Sequence, residues 1–357
     1  MKASVYAARA IVLIVVLQSA PGCGGPPSSG DDPESYYRDN VLRIVVGVNP
    51  GGGFDEYARM VAAALQEHTG GTVVVENQPG GGTLLALNRL VQGRADGLTL
   101  MLVGGEAMVL AQLTDRPGTR FDIEDLNFLG RVQKDTPVVL WSSTNPERNF
   151  EAVLETMRER ATVWGASGLT DNISDAEAIM AQALGLGQEQ MEIVIGYSGS
   201  NEVALAAVRG EVDGMIVSST SAANYVSTEN DNSLVAIATL DRERDTLFFP
   251  DVPTIFEVTE MDAAGSWWVD FRARITAIGR SFVTHAEVPE NRVFYLRKVL
   301  ADILTDERFI AEALARNRPV NYLPAEEQEQ LVETILHGVS ADQLKEVKYV
   351  LTEKYIQ

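Results

Sequence analysis

Asn49-Pro50-Gly51-Gly52-Gly53-Phe54-Asp55 is the stretch whose residue types and spacing could do chemistry, and that chemistry is the capture of an anion. Glycines let a ligand approach main-chain N–H groups with no Cβ in the way. From Asp55 onward Tyr57, Met60, Val61 and Leu65 recur at helical spacing. The positive end of a helix dipole therefore stands behind those N–H groups. Asp55 suits a helix start; as a direct contact it would oppose an anion unless a cation or a protonated group intervened. Two later loops, Ser167-Gly168-Leu169-Thr170-Asp171-Asn172 and Tyr197-Ser198-Gly199-Ser200, carry small hydroxyl residues where the first loop has glycine. Thr170 and Ser167 serve equally as helix caps or as ligand contacts, and Tyr197 either lines a cleft or packs.

The totals exclude several other chemistries. One cysteine permits no internal disulfide and no cysteine metal cluster. Three histidines, His68, His285 and His337, stand too far apart to suggest zinc or a catalytic triad. No metal and no cofactor are expected, and no catalytic residue is assigned. A formal charge of −21 argues against nucleic acid and against polybasic adhesion to a membrane. It does not exclude an anionic ligand, because site donors act at contact distance while surface charge is screened over about 8 Å.

The elements that must position these loops alternate. Ile44, Val45, Val46 and Val48 read as a buried strand before the first glycine loop. Thr72 to Glu76 is a second strand, Asn77 to Thr83 a second glycine loop, and Leu84, Leu87 and Leu90 one side of a helix. Asp96-Gly97 turns into a third strand, Leu98 to Val103. Such alternation predicts an α/β fold with mostly parallel sheets and flanking helices, its ligands beyond the carboxyl ends of the strands. Glu76 lies where a dinucleotide-binding domain keeps its ribose-binding acid, but the G-x-G-x-x-G order fails at Glu56 and there is no G-K-[ST]. A nucleotide-dependent enzyme is the rival reading.

A second set follows: strands at Val138 to Trp141, Thr162 to Trp164, Met191 to Ile195, Val212 to Val217 and Leu234 to Thr239. Ser174 and Glu177 read as a capping box. Residues 41–137 and 240–357 are expected to form one lobe and 138–239 the other, hinged about a cleft. Trp267-Trp268 and Arg272 with Arg274 read as strand residues, the arginines sharing a solvated face or attracting an anion. The spans 290–304, 306–316, 325–338 and that after Ser340 read as helices packing on the first lobe.

The N-terminus has an export layout: Lys2 and Arg9, the apolar run Ala10 to Leu17, then small residues to Cys23. The run is short of the roughly 20 residues that span a bilayer. Residues 1–22 are expected to be a leader, and 23–40, poor in anything to bury, an unstructured tether. Ala20-Pro-Gly-Cys23 is similar to a lipobox, which implies lipidation of Cys23, though Pro21 departs from the usual pattern.

Pro50-Gly-Gly-Gly-Phe-Asp55 with Ala58-Arg59, and Val75-Glu-Asn-Gln-Pro-Gly80, resemble the receptors of tripartite tricarboxylate transporters, also called Bug-type solute-binding proteins. Asp96-Gly97, Gly168-Leu-Thr-Asp171, Tyr197-Ser-Gly199 with Glu202, Gly210-Glu-Val-Asp213 and Phe249-Pro-Asp-Val-Pro-Thr254 follow in family order. The resemblance implies a two-lobed, periplasmic-binding-protein-like "Venus flytrap" outside the cytoplasm. It implies a monomer that closes on a small carboxylate and presents it to membrane permease subunits; a sensor passing occupancy to a membrane kinase is an alternative. The implied seats are Asn49 to Gly53 in one lobe, and Ser167 to Asn172 with Tyr197 to Ser200 in the other. Members of one branch carry histidine where Asn172 stands and glycines where Ser200 and Asn201 stand. Hydrogen bonds to a charged group contribute about 1.5–3 kcal/mol each, so four or five such contacts, less ordering costs, reach the roughly −8 kcal/mol of micromolar binding. On that arithmetic no arginine clamp is required.

Overall fold

The computed structural model describes residues 32–81, 83–169, 171–226 and 233–356. The expected leader, Cys23 and Thr170 lie outside the described residues. A helix, α1 (Pro33–Asp39), stands where the tether was expected to continue to residue 40. Tyr37 explains it: the ring is buried, stacks on Tyr295 with centroids 5.3 Å apart, and its hydroxyl donates to the Gly97 carbonyl at 3.2 Å. The polar composition of residues 23–40 as a whole masked this one anchor.

The first run is β1 (Leu42–Val46), α2 (Gly53–Thr69), β2 (Val73–Asn77), α3 (Leu84–Val91), β3 (Thr99–Gly104), α4 (Gly105–Leu113) and β4 (Leu126–Gln133). The second is β5 (Pro137–Ser142), α5 (Phe150–Glu159), β6 (Thr162–Ala166), α6 (Asn172–Ala183), β7 (Met191–Ile195), α7 (Ser200–Val208), β8 (Gly214–Ser218), α8 (Ser219–Ala222) and β9 (Leu234–Thr239). The return comprises α9 (Ile255–Val258), α10 (Ala263–Ile278), β10 (Arg280–His285), α11 (Glu290–Leu304), α12 (Glu307–Ala315), α13 (Ala325–His337) and α14 (Ala341–Tyr349). A π-helical turn, Val350–Lys354, ends it.

These strands make two five-stranded sheets, β2-β1-β3-β10-β4 and β7-β6-β8-β5-β9. In each sheet the fourth strand is reversed: β10 runs against β3 and β4, and β5 against β8 and β9. The reversed strand enters from the other lobe each time, so both crossings are woven into the sheets themselves. Tyr57, Val61 and Leu65 of α2 and Leu296 and Leu300 of α11 cover one face of the first sheet. The opposite face shares a continuous apolar core with the second sheet.

Three expectations need correction. Trp267, Trp268, Arg272 and Arg274 lie on a helix, α10, not a strand. Asp262 caps it, accepting from the Gly265 N–H at 2.7 Å, and the buried positions Trp268, Arg272 and Ile275 follow helical spacing. Arg272 is therefore buried while Arg274 is exposed, rather than both facing solvent. The helix expected from a Ser174–Glu177 capping box starts earlier, at Asn172, with Asp171 as its cap and Ser174 as the reciprocal partner. Glu177 is buried within it. Finally, the chain end does not pack on the first lobe alone. The Val350–Lys354 turn lies against α6, and the Ile193 N–H on the edge strand β7 donates to the Tyr355 carbonyl at 2.9 Å. An edge strand offers unpaired main-chain groups, and the C-terminus covers one of them.

Candidate functional site

The first glycine loop leaves β1 and enters α2, and its glycines have different causes. Gly51 has φ +89°, a conformation that side chains resist. A Cβ on Gly53 would lie 2.8 Å from Arg280 Nη1, whereas one on Gly52 would meet nothing within 4 Å. Asp55 turns back into the loop. Its carboxylate accepts from the Gly51 N–H and from Arg59 Nε and Nη2, each at 2.9 Å, and from Asn77 Nδ2 at 3.0 Å. The Arg59 hydrogen bond holds this carboxyl at about 2, against the upward push of burial. Asp55 thus acts as a staple of the loop. Among the described residues, the N–H groups of Gly52, Gly53 and Phe54 meet no acceptor.

The second lobe repeats the device. Asp171 Oδ2 accepts from the Ser167 and Gly168 N–H groups at 3.0 Å and from the Ser167 hydroxyl. Its Oδ1 accepts from the Ile173 and Ser174 N–H groups at 2.9 and 2.8 Å. In the third loop Glu202 accepts from the Ser198 N–H at 2.5 Å and its hydroxyl at 2.6 Å. In all three loops the acid stands four residues after a donor it engages. That spacing is visible in the sequence and would have foretold that these amides are already occupied. Tyr197 is partly buried against the core, 3.3 Å from where a Gly165 Cβ would be, and Ser200 accepts from the Tyr225 hydroxyl at 2.9 Å. The Tyr197–Ser200 loop does not line the gap described next.

Between the sheets lies a gap of about 60 Å³, bordered by Phe54, Glu106, Asp135, Asn172, Ser218, Arg272 and Arg280 among others. Phe54, Glu106 and Asn172 stand in the first turns of α2, α4 and α6, so helix starts from both sheets meet there. Of the expected residues, the gap brings together Asn172 and, through Phe54 and Arg280, the end of the glycine loop; Asn49 to Gly52 are exposed beside it. Two buried arginines, Arg272 and Arg280, also meet there, so charge as well as main-chain donors borders the gap. Arg272 Nη1 lies 3.0 Å from Glu106, and Nη2 donates to Glu106 at 3.1 Å and to the Asn172 carbonyl at 3.3 Å. Arg280 Nη2 lies 2.6 Å from Asp135. Beside them on α6, burial pushes the carboxyls of Asp175 and Glu177 well above the usual range, with Arg272 pulling Asp175 the other way. Glu106 had a legible signal, since Gly104-Gly105-Glu106 is a third strand–glycine–helix junction. Arg280 and Asp135 had none. Among the described residues no cluster of three potential metal ligands occurs, and no helix is long and apolar enough to cross a membrane.

The family model described as "Tripartite tricarboxylate transporter family receptor" matches residues 57–276. Protein BugT of Bordetella pertussis (strain Tohama I) is 26% identical over 262 residues, 73% of this chain and 77% of that protein. The solved structure of R. palustris Rpa4515 with adipate covers 88% of this chain and 98% of its own, at TM-score 0.68 and 18% identity. MatC of Rhodopseudomonas palustris, with bound malate, covers 87% and 98%, at TM-score 0.65 and 18% identity. At that identity these two structures speak to the shared fold.

Proposed function

Because the chain belongs to the tripartite tricarboxylate transporter receptor family, we propose that it is an extracytoplasmic receptor that closes its two lobes on a small carboxylate. It then delivers that ligand to the membrane subunits of such a transporter and performs no covalent chemistry on it. The observation that carries this reading is the meeting of helix starts from both sheets around one gap, at the carboxyl ends of the parallel strands. The gap, about 60 Å³, is far smaller than the roughly 300–1,000 Å³ of ordinary ligand pockets, so the lobes part to admit the ligand. Neighbours of the same fold hold malate and adipate, which supports the ligand class. The binding surface is the Gly52 to Phe54 turn on one side and the Asn172 end of α6 on the other. Export and attachment through Cys23 are the finer part of the proposal and rest on the sequence of the leader.

Thermal unfolding against di- and tricarboxylates, amino acids, aromatic acids and NAD tests it. A bound carboxylate at a hundred times its Kd adds about 2.7 kcal/mol to stability and raises Tm. A rise with NAD alone would reject the receptor reading in favour of a nucleotide enzyme.

A further inference from the structure

We propose that Arg280 grips a carboxylate of the ligand, and that its pairing with Asp135 limits the negative charge the cleft accepts. The inference rests on the carboxylate-receptor reading above and names the residue that would give it specificity. The topology puts Arg280 at the right edge. As the first residue of the reversed strand β10 it registers with Gly104, the last residue of β3, at the carboxyl end of the parallel strands.

The guanidinium there is half used. Nη2 engages Asp135, while Nε and Nη1 are buried and meet no acceptor among the described residues. Arg280 is only 8% exposed. A buried donor of a charged group left unmatched is costly, so a purely structural role leaves two donor nitrogens unexplained. The aromatic rings of Phe54 and Tyr57, with centroids 4.8 and 5.1 Å from the guanidinium carbon, hold the plate in place.

Gly53 completes the arrangement. Its missing Cβ leaves room for Nη1, which therefore lies beside the first turn of the 17-residue helix α2. The Gly53 and Phe54 N–H groups in that turn also lack acceptors among the described residues. A helix start and a buried, half-matched guanidinium thus converge from elements far apart in sequence. A carboxylate, planar with two acceptor oxygens, matches both donor sets at once. Arg272 with Glu106 and Arg280 with Asp135 are each formally neutral. One further carboxylate is offset by the helix dipole and the unused donors; removing Asp135 would make room for more negative charge.

Isothermal titration of the full chain with malate and with adipate tests this, on wild type, Arg280→Lys, Arg280→Gln and Asp135→Asn, each checked by circular dichroism. Arg280→Gln is expected to weaken binding roughly 10- to 100-fold, the worth of a hydrogen bond to a charged group. Arg280→Lys falls between, because it keeps the charge and loses the fork. Asp135→Asn is expected to tighten binding severalfold, an outcome that a merely structural pair would not produce, and it decides the matter if Arg280→Gln does not fold. Unchanged affinity in folded Arg280→Gln, or unchanged or weaker binding in Asp135→Asn, overturns the assignment and leaves the receptor reading standing. If wild type binds neither acid nor any carboxylate of the thermal panel, both readings fall together.

Discussion

In the first lobe Asp55 takes the Gly51 N–H and is matched by Arg59; in the second, Asp171 takes the Ser167 and Gly168 N–H groups using neutral donors alone. The two loops share a plan, a strand end stapled to the helix that follows by an acid four residues on. They differ in what is left over. Asp171 consumes N–H groups on both sides of itself, from the loop and from the first turn of α6. Asp55 consumes one, and leaves the first turn of α2 with open donors beside Arg280. An anion seat is therefore not implied by a glycine loop before a helix. It depends on whether the chain's own carboxylate has already taken the place.

The comparison breaks first at Arg272, which joins α10 to both α4 and α6. Arg272→Met leaves Glu106 without its cation and is expected to cost about 3–5 kcal/mol, the usual penalty for splitting a buried pair, measured by urea unfolding. Asp171→Ala comes next, at about 3 kcal/mol, the upper end for one hydrogen bond to a charged group. If the second-lobe loop were itself the anion seat, added acetate would restore much of that loss in a thermal melt; little rescue is expected.

Asp55→Asn is smaller and depends on pH. The folded carboxyl sits at about 2 against an ordinary value of 3.8. A depressed acid stabilises above its unfolded value and stops doing so as pH falls through the folded one. Wild type should lose about 2 kcal/mol between roughly pH 4 and pH 2 in an acid titration followed by circular dichroism, and the variant should not show that loss. Gly52→Ala has the smallest effect on the fold, within about 1 kcal/mol, because nothing lies within 4 Å of the added methyl. It sharpens the comparison all the same: weaker carboxylate binding with intact stability would mean that this glycine serves ligand approach and not the loop.

Much of this was legible in the chain. β1, β2 and β9 and the C-terminal helices followed from runs of β-branched residues and from helical spacing, because their burial repeats with a local period. The first glycine loop and both hydroxyl loops were found, and their stapling acids were in plain view four residues on. What misled was competition between nearby signals. Ser174 and Glu177 fit a cap, but Asp171 reaches four N–H groups and wins the helix start. Trp267-Trp268 suited a strand, but the Asp262 cap and the stacking of Trp267 on Phe271, one helical turn along with centroids 5.2 Å apart, favour a helix.

By itself the sequence determined the alternation of strand and helix, the two glycine and two hydroxyl loops, and the reach of each acid to a donor four residues away. Those depend on contacts within one turn, which neighbouring residues encode directly. Tertiary structure alone decided that Arg272 meets Glu106 across 166 residues of chain, and that Arg280 arrives beside Gly53 with two donors to spare. The burial of a charge depends on which elements a reversed strand carries together, and no local period records that.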